Sequence, residues 1–368
     1  MSYCFNPQCP NPADPANKNQ LICRNCGFEL LLQNRYRAVQ KLFGGECFKA
    51  YDNETGKYKV IGHLLKEHPK AVEIIKQTAK VLMKINHPGI PKMDQDGYFT
   101  QDGYFTKNYN THYLVMEYIE GLTLEDWMTQ RNNKPISEKL AIKWLKQMVK
   151  ILYKFHCLNY YYHNIHPQNI TVKPDGNLAL TGYHILNLKI DSFYHSHKES
   201  EITKPPTGII SPGCSPRENQ ITAVSNFLLL GQVWVFLLTG KPATALAENP
   251  RTGKILWRED APYISKNFAV NFADLIDYMM APFPGNRPQN CQVILKCITQ
   301  IQKEKAKIIS NDQETSQTKT QNKQQKITNK KKKKNNIIYS LINWLNQRWI
   351  STWNLLRKMS QYLGLMAK

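Results

Sequence analysis

The chain of 368 residues is 42% hydrophobic and carries 49 Lys and Arg against 28 Asp and Glu, a formal net charge of +21. The excess is uneven: residues 303–368 hold 15 basic and three acidic residues, a net of +12. No uninterrupted apolar run approaches the roughly 20 residues that a spanning helix needs, which excludes a helical membrane span.

In chain order, the first signal is four cysteines, spaced Cys4-x4-Cys9 and Cys23-x2-Cys26-Gly27. Four soft thiolates in two knuckles suit tetrahedral zinc, and Gly27 allows the tight turn that brings backbone amides to the sulfurs. With sulfur at all four positions no ligand place is left open, so the metal is expected to be structural. The neighbours Asn6-Pro7, Pro10-Asn11-Pro12 and Pro15 are turn formers, as in a small metal-stapled unit (residues 1–34) without a core of its own. Free or disulfide-linked thiols are the alternative. The other five cysteines are scattered and no secretory signal is evident, so a reducing, cytoplasmic setting is expected.

Next come Leu42-Phe43-Gly44-Gly45-Glu46-Cys47-Phe48, Lys59-Val60-Ile61-Gly62 and Ile75-Lys76-Gln77-Thr78-Ala79. Gln95-Asp96-Gly97-Tyr98-Phe99-Thr100 is repeated at once as residues 101–106, and its D-G turn signals predict a lengthened hairpin. Tyr113-Leu114-Val115-Met116-Glu117-Tyr118 reads as a strand, and Tyr162-His163-Asn164-Ile165-His166-Pro167-Gln168-Asn169 as a polar loop. Pro174-Asp175-Gly176-Asn177 predicts a turn between the apolar segments Ile170–Val172 and Leu178–Leu180. Phe227–Leu238 is apolar, too short to span a membrane and suited to a buried core helix.

In this order and at these spacings, residues 35–302 resemble a protein kinase. With the four-cysteine prefix and the following Leu30-Leu31-Leu32, the chain resembles the cyanobacterial-type serine/threonine protein kinases. The resemblance implies an α+β, bilobal fold with a small β-rich lobe (35–118) and a larger helical lobe (119–302). Tyr162–Asn169 takes the place of the catalytic loop H-R-D-x-x-x-x-N, and Met116 and Tyr118 lie at the hinge of the nucleotide cleft. Glu218 and Arg287 match the ion pair that ties the activation segment to the last helices; a stranded buried charge costs about 3–5 kcal/mol.

The positions that carry chemistry depart from the family. Asn164 stands at the catalytic Asp, and an amide takes no proton at neutral pH. Asn169 keeps the metal-binding Asn, but Gly182 replaces the metal-binding Asp eighteen residues after position 164. Gly62 replaces the phosphate-pairing Lys and Thr78 its Glu partner, with Lys59 and Lys66 flanking the site. Gly44 and Gly45 belong to a shortened glycine-rich loop in which Glu46 would face the phosphates. One structural Asp also looks lost, at Ser225-Asn226-Phe227. Scaffold kept and chemistry erased is the pattern of a pseudokinase. ATP and magnesium are therefore not expected to work in this cleft, with nucleotide binding without chemistry as a middle case.

Residues 303–336, rich in Gln, Asn, Lys and Thr and closing on Lys330–Lys334, read as a disordered linker. Beyond them Ile338, Leu341, Ile342, Leu345, Trp349, Trp353, Leu356, Met359 and Leu363 recur at helical steps, an amphipathic helix over 337–368. Its tryptophans and polybasic lead-in suit the headgroup layer of an anionic membrane through 330–368, or docking on a protein. Nucleic acid is disfavoured, because lysine blocks lack interleaved arginine. The expected role is a signalling scaffold or regulator, partnering a protein such as an active kinase. The alternative is a weakly active, ATP-dependent Ser/Thr kinase.

Overall fold

The computed structural model describes residues 2–42, 47–64, 69–102, 110–162, 165–182, 222–265 and 271–307, with isolated positions between 330 and 347. Residues Met1–Ile301 form one compact unit. The predicted linker and amphipathic helix fall almost entirely outside the described residues.

Five antiparallel strands build the first sheet: β1 (Tyr36–Lys41), β2 (Cys47–Asp52), β3 (Lys57–Leu64), β4 (Tyr98–Asp102) and β5 (Asn110–Glu117), ordered β1-β2-β3-β5-β4. Alternating side chains give the sheet two apolar faces. Val60, Leu64, Leu114 and Met116 join the core that runs through α1 (Pro69–Lys84) into the helical lobe, whereas Ile61, Tyr113 and Val115 join Tyr36, Ala38 and Phe48 behind.

The cysteine prefix covers this rear face. Phe5 packs edge-on to Phe48 with ring centroids 5.0 Å apart, and the Tyr3 N–H donates to the Ala38 carbonyl at 2.8 Å. Arg37 donates to Ser2 Oγ and to the Gln20 carbonyl, each at 2.9 Å. The prefix thus shares a core with the sheet. Arg35 secures the junction, with Nε 2.7 Å from Asp52 and Nη1 2.7 Å from Asp96, and its hydrogen bonds hold the Asp52 carboxyl well below the usual carboxylate range.

β4 takes Tyr98-Phe99-Thr100 from the first hexapeptide copy and Gln101-Asp102 from the second, and pairs with β5 as the hairpin reading expects. Phe99 stacks on its cross-strand partner Tyr113 at 5.1 Å. Residues 103–109 lie outside the described residues.

The helical lobe contains α2 (Leu124–Gln130), α3 (Glu138–His156), α4 (Ala223–Thr239), α5 (Phe272–Met279) and a helix, α6, that begins at residue 291. Three short strands, β6 (Leu122–Thr123), β7 (Ile170–Val172) and β8 (Leu178–Leu180), cap it near the sheet. The Pro174–Asn177 turn joins β7 to β8 with Ile170 opposite Leu180. As expected of the Phe227–Leu238 run, α4 is buried along most of its length and ends at Gly240, whose left-handed φ of 75° terminates the helix. Among the described residues no helix is long and apolar enough to cross a membrane.

Candidate functional site

The four cysteines converge. Their sulfurs lie within 4.8 Å of one another, with Cys4 and Cys26 Sγ 3.6 Å apart and Cys9 and Cys23 Sγ 3.7 Å apart. Zn–S bonds of about 2.3 Å in a tetrahedron require edges of about 3.8 Å, so the donor set fits zinc. Local turns make the site: Gly27, at φ 71°, sends its N–H back to the Cys23 carbonyl at 2.9 Å, and the Cys9 N–H reaches the Asn6 carbonyl at 3.1 Å. Burial raises the Cys4 and Cys9 thiols, the latter to about 11. Burial also works upward on Cys23, but the N–H groups of Asn25 and Cys26 and the Asn17 amide, 3.4 Å from its sulfur, carry it down to about 6.

A second set of residues meets between the lobes. Gly62 is in β3, paired with Cys47 and Leu114, and nothing charged projects from it. Lys59 supplies no replacement. It shares the rear-facing parity with Ile61 and His63, and its Nζ is 2.6 Å from Asp94. Lys66 lies outside the described residues. Thr78, buried on α1, donates to the Ile74 carbonyl at 2.8 Å and accepts from the Tyr160 hydroxyl at 3.0 Å. A neutral hydroxyl pair therefore stands where an ion pair would be sought. Burial raises the Tyr160 phenol, which keeps it protonated.

Asn169 and Gly182 are in direct contact. A Cβ built on Gly182 would lie 2.3 Å from both Cγ and Oδ1 of Asn169. The Asn169 side chain thus fills the room that a carboxylate at 182 would need. Among the described residues magnesium finds no fit in this cleft: Gly182 offers no ligand where one of the two expected from the protein would stand, and its space is taken by Asn169, the other. Asp175 gives no substitute, since it accepts from the Asn177 N–H at 2.9 Å within its own turn and pairs with Lys173 at 3.3 Å.

Position 226 lacks the family's Asp, as read, but the Asn that stands there still anchors the loop. Its amide is fully buried, donates to the Tyr162 carbonyl at 2.6 Å, and accepts from the Tyr162 N–H at 3.1 Å. His156 Nε2 lies a further 3.1 Å from the same Oδ1. The loop is therefore anchored to α4 by an amide in place of a carboxylate. Arg287, buried at the base of the lobe, donates to the carbonyls of Ala281 at 2.7 Å and Pro282 at 3.0 Å. Asn164, Gly44, Gly45 and Glu218 fall outside the described residues.

Met116 ends the buried part of β5, and Tyr118 follows at the connection between lobes, its N–H 3.3 Å from the Tyr58 carbonyl. One residue absent from the motif reading stands out here. Lys49 on β2 places its Nζ 4.0 Å from the centre of the Tyr118 ring and 4.5 Å from that of Tyr58.

Comparison with known proteins accords with this architecture. The protein kinase domain family matches residues 43–304. Serine/threonine-protein kinase B of Synechocystis sp. is 26% identical over 314 residues, covering 81% of this chain and 52% of that protein. Serine/threonine-protein kinase C of the same organism is 29% identical over 265 residues, 67% of this chain and 47% of its own length. The chain thus spans about half the length of these curated relatives. Among solved structures, the apo form of PpkA-294 superposes with a TM-score of 0.56 at 16% identity, over 73% of this chain and 98% of that one. That family ordinarily uses ATP and magnesium. By fold and by sequence, the chain belongs to the protein kinase domain family, with serine/threonine kinase relatives in cyanobacteria.

Proposed function

We propose that this member of the family has lost phosphoryl transfer and acts by binding, as a scaffold or regulator in signalling. One observation carries the reading: the Asn169 amide occupies the volume that a metal-binding carboxylate at position 182 would require. The other positions point the same way. Gly62 offers no ammonium to a phosphate, Thr78 is engaged by Tyr160, and Asn164 has an amide where a base is needed. Removing one preorganised electrostatic group costs about two to three orders of magnitude in rate. Such losses do not multiply within a cooperating set, yet base, metal carboxylate and phosphate lysine are all missing together.

In this reading Cys4, Cys9, Cys23 and Cys26 hold a structural zinc ion that fixes the prefix to the back of the sheet. The partner is a protein, an active kinase of the same kind, and residues 330–368 rest on the anionic cytoplasmic face of a membrane. Transfer of labelled phosphate from ATP to a general acceptor protein, measured for the purified chain and for Asn164→Ala, tests the loss of chemistry. No transfer above background is expected from either. Transfer that vanishes in Asn164→Ala would overturn the proposal in favour of a weakly active Ser/Thr kinase.

A further inference from the structure

Lys49 lies directly opposite Val60 in the β2–β3 ladder, and directly opposed residues of an antiparallel pair project from the same face. Val60 belongs to the core that faces the helical lobe, together with Leu114 and Met116. Lys49 therefore leaves the sheet on its inner side, between the lobes. From there its stem runs toward the connection, and the ammonium ends over the rings of Tyr118 and Tyr58 at 4.0 and 4.5 Å. The Tyr118 N–H donates to the Tyr58 carbonyl at 3.3 Å, which ties together the backbone segments that carry the two rings.

This arrangement removes what a flat heterocycle would use. A ligand pocket needs open, mostly apolar surface with a few polar groups converging on it. Here Val60 is only 9% exposed and Met116 only 1%, so little of either side chain is open to a ligand. The aromatic faces at the edge are satisfied by a cation, which they attract through the ring quadrupole.

We propose that Lys49 is the residue that excludes nucleotides from the cleft: its side chain takes the room of a purine, and its ammonium binds the rings beside which the purine would enter. This rests on the reading of the chain as a binding protein without phosphoryl transfer, but it is tested separately. The full chain is titrated with the fluorescent nucleotide mant-ADP, without added divalent metal, as wild type, Lys49→Val and Tyr118→Leu. The first variant removes the cation and most of its stem. The second removes one of the rings that hold it, and serves if Lys49→Val does not fold.

Wild type is expected to show no saturable binding in the millimolar range, and each folded variant to bind about tenfold tighter or better. Equal affinity in wild type and the folded variants would overturn the role of Lys49, while leaving the loss of chemistry untouched. Phosphate transfer by the wild type would overturn the underlying reading instead.

Discussion

Asn226 holds Tyr162 by both of its backbone groups, donating to its carbonyl at 2.6 Å and accepting from its N–H at 3.1 Å. A carboxylate at 226 could accept but not donate, and would face the Tyr162 carbonyl oxygen across the same short distance. Asn226→Asp, the substitution toward the family residue, is thus expected to destabilise this chain. Burying a charge against an acceptor and losing a buried hydrogen bond together cost about 3 kcal/mol. Urea unfolding at neutral pH measures it as a lower midpoint with an unchanged slope. A midpoint equal to wild type would mean that the Tyr162 peptide turns over to present only donors.

Gly182 and Asn169 give the second expectation. Because a Cβ at 182 meets Asn169 at 2.3 Å, restoring the carboxylate does not restore the metal site. Gly182→Asp should unfold at a lower temperature than wild type, by the equivalent of about 1–3 kcal/mol of overpacking, and magnesium with ATP should not raise it. A magnesium-dependent rise in Tm in that variant would show that Asn169 readily vacates the space.

How much of this was legible depends on the range of the interaction. The cysteine knuckles and the Pro174–Asn177 hairpin declare themselves because spacing of a few residues decides them. Asn226 reads as a lost Asp because its partner, Tyr162, is 64 residues away, and only the contact reveals that an amide can do the anchoring. Lys49 has no motif at all. A signal did exist: the turn pairing Asp52 with Lys57 fixes the register, and counting back along both strands places Lys49 across from Val60. Thr78 reads as a missing Glu, while its engagement with Tyr160 is a tertiary fact that no local pattern carries.

Metal removal should loosen more than the prefix. Phe5 packs on Phe48 at the junction, so losing the ion frees a residue of the sheet's own rear core. One zinc per chain is expected by metal analysis, and mercurial displacement should lower the cooperative unfolding temperature and speed amide exchange in β1 and β2. Phe5→Ala should reproduce part of this with zinc still bound, at about 3–5 kcal/mol. Unchanged exchange in β1 and β2 after metal loss would separate the prefix from the stability of the sheet.

Acid sensitivity should trace in large part to His63. Its ring is stacked on Phe48 at 5.6 Å behind the sheet, and burial, with a smaller push from Lys41, carries the imidazole from 6.5 down to about 4. Between those values the unfolded chain binds a proton that the folded chain refuses. The contribution is therefore whole above about pH 6.5, declines as pH falls, and is fully lost near pH 4. One proton gives a slope of about 1.4 kcal/mol per pH unit, about 3 kcal/mol across the window. His63→Phe removes the titrating group, so its urea midpoint should fall less than that of wild type between pH 6.5 and 4. A residual slope is expected from His156, which burial also lowers despite its contact with Asn226. Parallel pH profiles for wild type and His63→Phe would place the acid sensitivity elsewhere, with the thiolates of the prefix as the next group to titrate.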